Sequence, residues 1–379
     1  MKAVFFPRNE YPNNVEVCTH RFGKKLTFTE ASTTFPPLVV QYLLPYVVEL
    51  NRTHKIRISG FIDNRDNLVA EFYNQIDNNV IYPELYYLTK YSSGSWDYSD
   101  AGQEENKQIL YGWFQNKFGR KPPAIMYGLM PGPYGSYMLK YTLSADSNSL
   151  SNNTDYGNGV GNPSNRPYIH SAEAGEDYYF HRDWNRRVLD QSENDQNYSS
   201  RIAEFSSFID ETLALPKGGW IFSFNHWHRL LALDIDFETG QPKPGHEDLP
   251  AVNNGFKPYF DMLASKNAND EIYFAGHGEA VSYLIYRDSI SRIAMFSPFG
   301  KEDDTIEIRL EVKNVFGLNE SLFDLLQTPI SIKFSTVGTP LENKQLTSEL
   351  NLVNVGVNEY IVEIPFSEYP KAVIKKIND

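Results

Sequence analysis

Short apolar runs and helix-period stripes take turns along this chain from about residue 24 to about residue 290. That alternation restricts the fold more than any other feature. Residues 25–32 open the series as a buried strand that the pattern predicts to run into a loop. Residues 36–50 have helical length, with a kink expected at Pro45. Residues 55–62 read as a strand, and residues 67–76 as a helix with Leu68, Val69, Phe72, Tyr73 and Ile76 in one stripe. Residues 103–118 form another amphipathic stretch that stops at Gly119, before Pro122 and Pro123. Further buried strands are predicted at 124–129, 220–224 and 271–275, and further helices at 201–213, 256–266 and 279–287. Polar excursions at about 144–180 and 236–255 interrupt the pattern as loop insertions. Such alternation argues for a parallel α/β sheet or barrel, where chemistry sits at the ends of strands.

After about residue 300 the texture changes. Residues 305–312, 330–334 and 360–364 alternate apolar and polar side chains, as half-buried antiparallel strands do. The sequence therefore predicts an α/β domain over residues 1–300. It predicts a small C-terminal β-sandwich, Ig-like or carbohydrate-binding-like, over residues 301–379.

Charge and cysteine content narrow the partners. A formal net charge of −13 repels phosphate backbones, and no Lys/Arg run forms a basic patch, so nucleic acid is excluded as a partner. Cys18 is the single cysteine, which rules out an intrachain disulfide and a cysteine-based zinc site. The apolar run at the N-terminus is too short for a secretory signal, and no stretch has membrane-spanning length. The 25 Tyr and 24 Phe suit core and interface packing, or stacking on sugars.

Several motifs fall in a telling order. Leu26-Thr27-Phe28-Thr29-Glu30 ends the first strand pattern, and Pro131-Gly132-Pro133-Tyr134-Gly135 follows the strand at 124–129. Arg182-Asp183-Trp184 comes next, then Phe224-Asn225-His226 after the Trp220 strand, and Tyr283 and Arg287 close the last helix. This order resembles the polysaccharide deacetylase family (the NodB-homology domain, carbohydrate esterase family 4) over roughly residues 24–290. The resemblance implies a distorted (β/α) barrel and hydrolysis of N-acetyl sugars. A divalent metal such as zinc would polarise the carbonyl and bind water there, one Asp would act as base, and a His as acid.

It further implies that Thr29 and Glu30 stand where the family has its Asp base and Asp ligand. Asp183 would correspond to the Asp-Trp motif and His226 to the catalytic acid. Pro133, Tyr134, Trp184, Trp227 and His228 would lie beside substrate.

The departures concern the chemistry. Thr29 cannot take a proton at neutral pH. The His-x-x-x-His pair expected between residues 81 and 102 is absent, and Met130-Pro131 replaces the third motif's arginine. Of the family's ligand positions only Glu30 keeps an oxygen donor, and a lone carboxylate does not hold zinc, so no metal is expected; if one is bound, Glu30, His226 and His228 are the candidates. If the Trp220 strand continued, His226 and His228 would share one face. His277 is expected to cap a helix, and His20, His170 and His181 have no assigned role.

The expected function is a catalytically degenerate deacetylase-like protein that binds glycan or serves as a structural module without a cofactor. The lack of a leader-like segment, with Asn- and Tyr-rich loops, suits a bacteriophage virion component such as a fibre, tail or decorating protein. Its partners would be glycan or other protein subunits, including further copies of itself. The alternative is an active metal-dependent deacetylase with rearranged ligands.

Overall fold

The computed structural model describes residues 10–66, 68–87, 91–92, 95–96, 99–127, 142–147, 180–182, 188–190, 197–216, 218–298, 304–313 and 320–377. The chain divides into two compact units: Lys25–Val281, and Met1–Lys24 together with Ser282–Asp379. This differs from a boundary near residue 300, and the reason is pairing. Val15–Val17 hydrogen-bonds to Ile330–Ser335, and Ile290–Phe296 to Thr305–Val312, so both segments belong with the C-terminal strands.

The Lys25–Val281 unit is mixed α/β. Its strands are β1 (Leu26–Thr33), β2 (Ile58–Ile62), β3 (Ile81–Tyr87), β4 (Ala124–Tyr127), β5 (Ser144–Ser147), β6 (Phe180–Arg182), β7 (Gly219–Phe224) and β8 (Ile272–Phe274). They form one sheet in the order β5-β4-β3-β2-β1-β7-β6, with β8 also paired to β1. Every pairing in this sheet is parallel. β1 is shared: its first residues pair with β8 and its last with β2. The helices are α1 (Pro37–Tyr42), α2 (Leu44–His54), α3 (Ala70–Asp77), α4 (Asp100–Phe118), α5 (Tyr198–Leu213), α6 (Trp227–Asp234), α7 (Lys257–Lys266) and α8 (His277–Ser289), the last spanning the division between units.

Side chains on β1 alternate between two buried faces, as strand geometry requires. Phe28 faces the helices, its ring 6.1 Å from that of Phe205 on α5 and 5.5 Å from that of Phe274. The main core lies there, with Val47, Phe72, Ile209, Trp227 and Phe260 among its members.

Two local expectations are corrected. The break in the first helical region falls at Leu43, and Pro45 sits in the first turn of α2, where its missing N–H costs nothing. The second polar excursion becomes helical earlier than expected. Asp234, fully buried, accepts the N–H groups of Ala251 (3.1 Å) and Val252 (3.0 Å) and pins the chain's return. At the start of α4, Ser99 Oγ accepts the Gly102 N–H at 3.0 Å. Ser99→Ala is expected to lower stability by about 1 kcal/mol in urea unfolding. An unchanged midpoint would mean that this cap contributes nothing.

The other unit is antiparallel throughout. One sheet runs Val15–Val17, Ile330–Ser335, Glu359–Ile364, Leu352–Gly356; another runs Ile290–Phe296, Thr305–Val312, Lys371–Lys376, Leu346–Ser348. Ile306, Ile308, Ile330, Ile332, Val362 and Ile374, drawn from both sheets, share one core. Arg21 pairs with Glu363 at 2.6 Å, and Tyr283 donates to the Cys18 carbonyl at 2.9 Å. Burial pushes the Cys18 thiol up to about 12, which keeps it an inert thiol.

Candidate functional site

Parallel sheets place ligand chemistry at the carboxyl ends of their strands. β1 runs to Thr33, one residue past the 25–32 stretch, and no loop begins at the Thr29-Glu30 motif. Thr29 and Glu30 therefore lie in mid-strand, and strand alternation turns them to opposite faces. Thr29 Oγ1 accepts the Trp220 indole N–H at 3.1 Å.

Glu30 points into the helix-side core and is fully buried. Its Oε1 accepts from Asn225 Nδ2 (3.0 Å) and Trp227 Nε1 (3.4 Å), and its Oε2 from the Tyr259 hydroxyl (2.6 Å). Asn225 is itself fixed. Its Nδ2 also donates to Ser223 Oγ at 3.1 Å, and its Oδ1 accepts the Leu189 N–H at 3.0 Å. Burial pushes the Glu30 carboxyl up to about 7, against the downward pull of the donors around it. Trp227 belongs to the same layer. It is fully buried, with rings of Phe35, Phe256 and Phe260 at 5.8, 5.1 and 5.6 Å.

A different group forms at the end of β7. The strand stops at Phe224 and α6 begins at Trp227, so His226 and His228 do not share a strand face. Asp190 clamps His226 twice: Oδ1 accepts the backbone N–H at 2.6 Å, and Oδ2 bonds ring Nδ1 at 2.5 Å. A proton held on Nδ1 makes Nε2 the basic nitrogen, the arrangement used by oriented acid–base histidines. The His228 ring lies 5.5 Å from that of His226. Burial, then the neighbouring His226 and Arg229, push His228 down to about 4, so it is neutral at physiological pH. At the end of β2, buried Asp63 pairs with Arg65, and its N–H donates to Asp66 Oδ2 at 2.8 Å. Burial pushes Asp66 up to about 6.

The sheet's other face is lined differently. His277 opens α8 and packs edge-on against Phe61, Trp220 and Phe222. Glu84 Oε1 accepts the Gly278 N–H at 2.6 Å, while its buried Oε2 has no partner among the described residues. Burial pushes this carboxyl up to about 8, so it is mainly protonated at neutral pH.

Of the residues singled out by sequence, Thr29, Glu30, His226, Trp227 and His228 can be located. Pro133, Tyr134, Asp183 and Trp184 lie outside the described residues, as does most of the first polar excursion. Glu30 is held by Asn225, Trp227 and Tyr259 rather than by a histidine. Among the described residues, no three His, Cys, Asp or Glu side chains group closely enough to hold a metal ion. Sequence reasoning missed Asp63, Asp66, Glu84 and Asp190; the only local signal for Asp190 is the buried pair Val188-Leu189 just before it. Among the described residues no helix is long and apolar enough to cross a membrane.

Fold and site together define a mixed α/β protein with a parallel sheet and an aspartate-clamped histidine at a strand end. No family model matches the chain, and no curated protein matches it. Among solved structures it is similar to the crystal structure of a "putative polysaccharide deacetylase from Mycobacterium smegmatis". The identity is 9% and the TM-score 0.38, over 73% of this chain and 94% of that one.

Proposed function

We propose that this chain is a glycan-binding protein built on a deacetylase-type distorted (β/α) barrel, with a β-sandwich formed by its terminal segments. In this reading the first-motif carboxylate serves the fold instead of hydrolysis. The observation that carries it is the sequestration of Glu30, whose two oxygens accept three hydrogen bonds inside the helix-side core. Fully buried and held by three donors, this carboxyl is committed to the core, which disfavours a role as a metal ligand. The groups left at the strand ends, Asp63, Asp66, Asp190, His226 and His228, suit recognition of sugar hydroxyls. Calorimetry with an N-acetylated chitooligosaccharide, with and without chelator, tests the reading alongside the metal content of the purified chain. Chelator-insensitive binding is expected. Stoichiometric zinc, lost in Glu30→Gln together with binding, would sink it.

One observation favours a hydrolytic second reading: the two-point clamp of Asp190 on His226. A histidine oriented in this way is a ready general acid. If the chain releases acetate from such an oligosaccharide, Asp190→Asn is expected to lower the rate by about 100-fold or more and to change the pH profile. A rate and profile unchanged by that substitution would remove the histidine from the chemistry.

A further inference from the structure

The two sheets of the antiparallel unit end in four edges, and three of them are blunted. Val15–Val17 and Leu346–Ser348 are only three residues long. Ile290–Phe296 is covered, since Glu10 bridges to Phe296 and the Tyr11 N–H donates to the Met295 carbonyl at 2.7 Å. The remaining edge, Leu352–Gly356, pairs with Glu359–Ile364 on one side and is open on the other among the described residues. Edge strands in natural proteins are guarded against pairing by charged side chains, proline or short length. This one has no such guard: from Leu350 to Asn358 there is no charged residue and no proline.

The backbone of this edge is free over a regular stretch. The Glu363 N–H donates to the Asn351 carbonyl at 3.1 Å, and Val353 stands opposite Ile361. Antiparallel alternation therefore commits the backbone groups of Asn351 and Val353 to the sheet, and turns those of Leu352 and Asn354 outward. The register shift between Asn354 and Gly356 comes only after this stretch. Side chains alternate as well. Leu352 packs against the core, whereas Val353, Val355 and Val357 are 40%, 46% and 88% exposed.

We propose that Leu352–Asn354 is a dimerisation edge, to which a second copy of this chain adds its own Leu352–Asn354, antiparallel about a two-fold axis at Val353. In that register Leu352 of each copy exchanges both backbone hydrogen bonds with Asn354 of the other, which satisfies every outward group of the stretch. Val353 meets Val353 as the close, non-hydrogen-bonded pair, with Cα atoms about 4.5 Å apart. Two features select a second copy as the occupant. The stretch is its own complement, since the two-fold sets valine against valine and donors against acceptors. Each copy also carries a net charge of −13, so two copies repel wherever their surfaces are charged. At this uncharged edge they approach without opposed carboxylates, and an acidic or basic peptide would find no charged side chain in the stretch to pair with. Assembly stops at two copies, because the far edge of the same sheet is the three-residue strand Val15–Val17.

The test is sedimentation velocity of the full chain from about 1 to about 200 μM at physiological salt. A reversible monomer–dimer equilibrium is expected. Val353→Lys sets two ammonium groups against each other across the axis and should raise the dimer dissociation constant about tenfold or more. Val353→Glu should do the same. An equimolar mixture of the two variants should recover association, because each lysine then faces a glutamate. The side chain is 40% exposed, and a melting temperature equal to that of the monomeric wild type verifies that each variant is folded. Ile109→Lys, at an exposed position on α4, is the control and should leave the equilibrium unchanged. A wild-type chain that is monomeric throughout the range overturns the proposal and leaves the edge to a foreign strand. Dimers that persist in Val353→Lys, or a mixture of the two charged variants that stays monomeric, overturn it as well.

Discussion

Gly278→Ala is expected to cost more than about 3 kcal/mol, enough to strip the chain of soluble folded material under ordinary expression conditions. A Cβ at this position would lie 2.3 Å from Pro123 Cγ and 3.3 Å from Glu84 Oε1. The proline ring cannot swing aside, because its chain leads directly into β4. The opposite movement would pull the Gly278 N–H off Glu84, a 2.6 Å contact that places a carboxyl at the first turn of α8. Gly276 is no more tolerant, since a Cβ there would meet the Tyr82 ring at 2.2 Å. Gly112→Ala is the control: it sits within α4 with nothing within 4 Å of the added atom. It should stabilise the chain by up to about 1 kcal/mol. Urea unfolding of the three variants decides the matter, and a Gly278→Ala chain as stable as the wild type would refute the close packing described.

Glu30→Gln should remove a pH dependence instead of a structure. Burial raises the folded-state pKa from 4.5 to about 7, so the folded chain holds a proton that the unfolded chain has lost. The stabilising contribution is complete below about pH 4.5 and is lost as pH rises through about 7. Over that window the loss is roughly 3 kcal/mol. Glu84 acts in the same direction, up to about pH 8. His228, pushed down from 6.5 to about 4, acts oppositely, with stability lost as pH falls across that interval. Both are common to wild type and variant and cancel in the comparison. The stability of Glu30→Gln relative to wild type should therefore rise with pH between 4.5 and 7. The amide suits the site, since the Tyr259 hydroxyl can accept from it and donate to Ser223. Glu30→Leu leaves the Asn225, Trp227 and Tyr259 donors buried without an acceptor, and should cost about 3 kcal/mol or more at any pH. A wild-type-to-Gln difference that does not vary with pH would mean that Glu30 titrates as an ordinary surface acid.

Legibility followed the range of the interactions. The stripe of α5 and the apolar run of β7 are local patterns, and the structure places both within a few residues of expectation. The end of β1 was legible to within a residue, but the loop expected at the Thr29-Glu30 motif was not found, because both faces of that strand are buried and Ala31, Ser32 and Thr33 give no contrast at a boundary. The start of α6 was partly written in Trp227, Leu230, Leu231 and Asp234, a spacing of helical period. The apolar strand just before it made continuation of that strand the simpler reading. Asp190 could not be found from its neighbours, since its meaning depends on a histidine far along the chain. The opposed faces of Thr29 and Glu30 follow from strand period alone once β1 is known to continue.

The pairing of Val15–Val17 with Ile330–Ser335 also sets an order of events at the ribosome. Val15–Val17 emerges first of the pair and must wait, without its hydrogen-bonding neighbour, until Ile330–Ser335 has been made. The interposed segment Lys25–Val281 has all its own strands in hand well before then. Maturation of this molecule should therefore proceed from the middle outward. Nascent chains in which α8 has emerged but Ile330–Ser335 has not would carry a completed centre and an unsatisfied Val15–Val17 strand, the species most in need of chaperone protection.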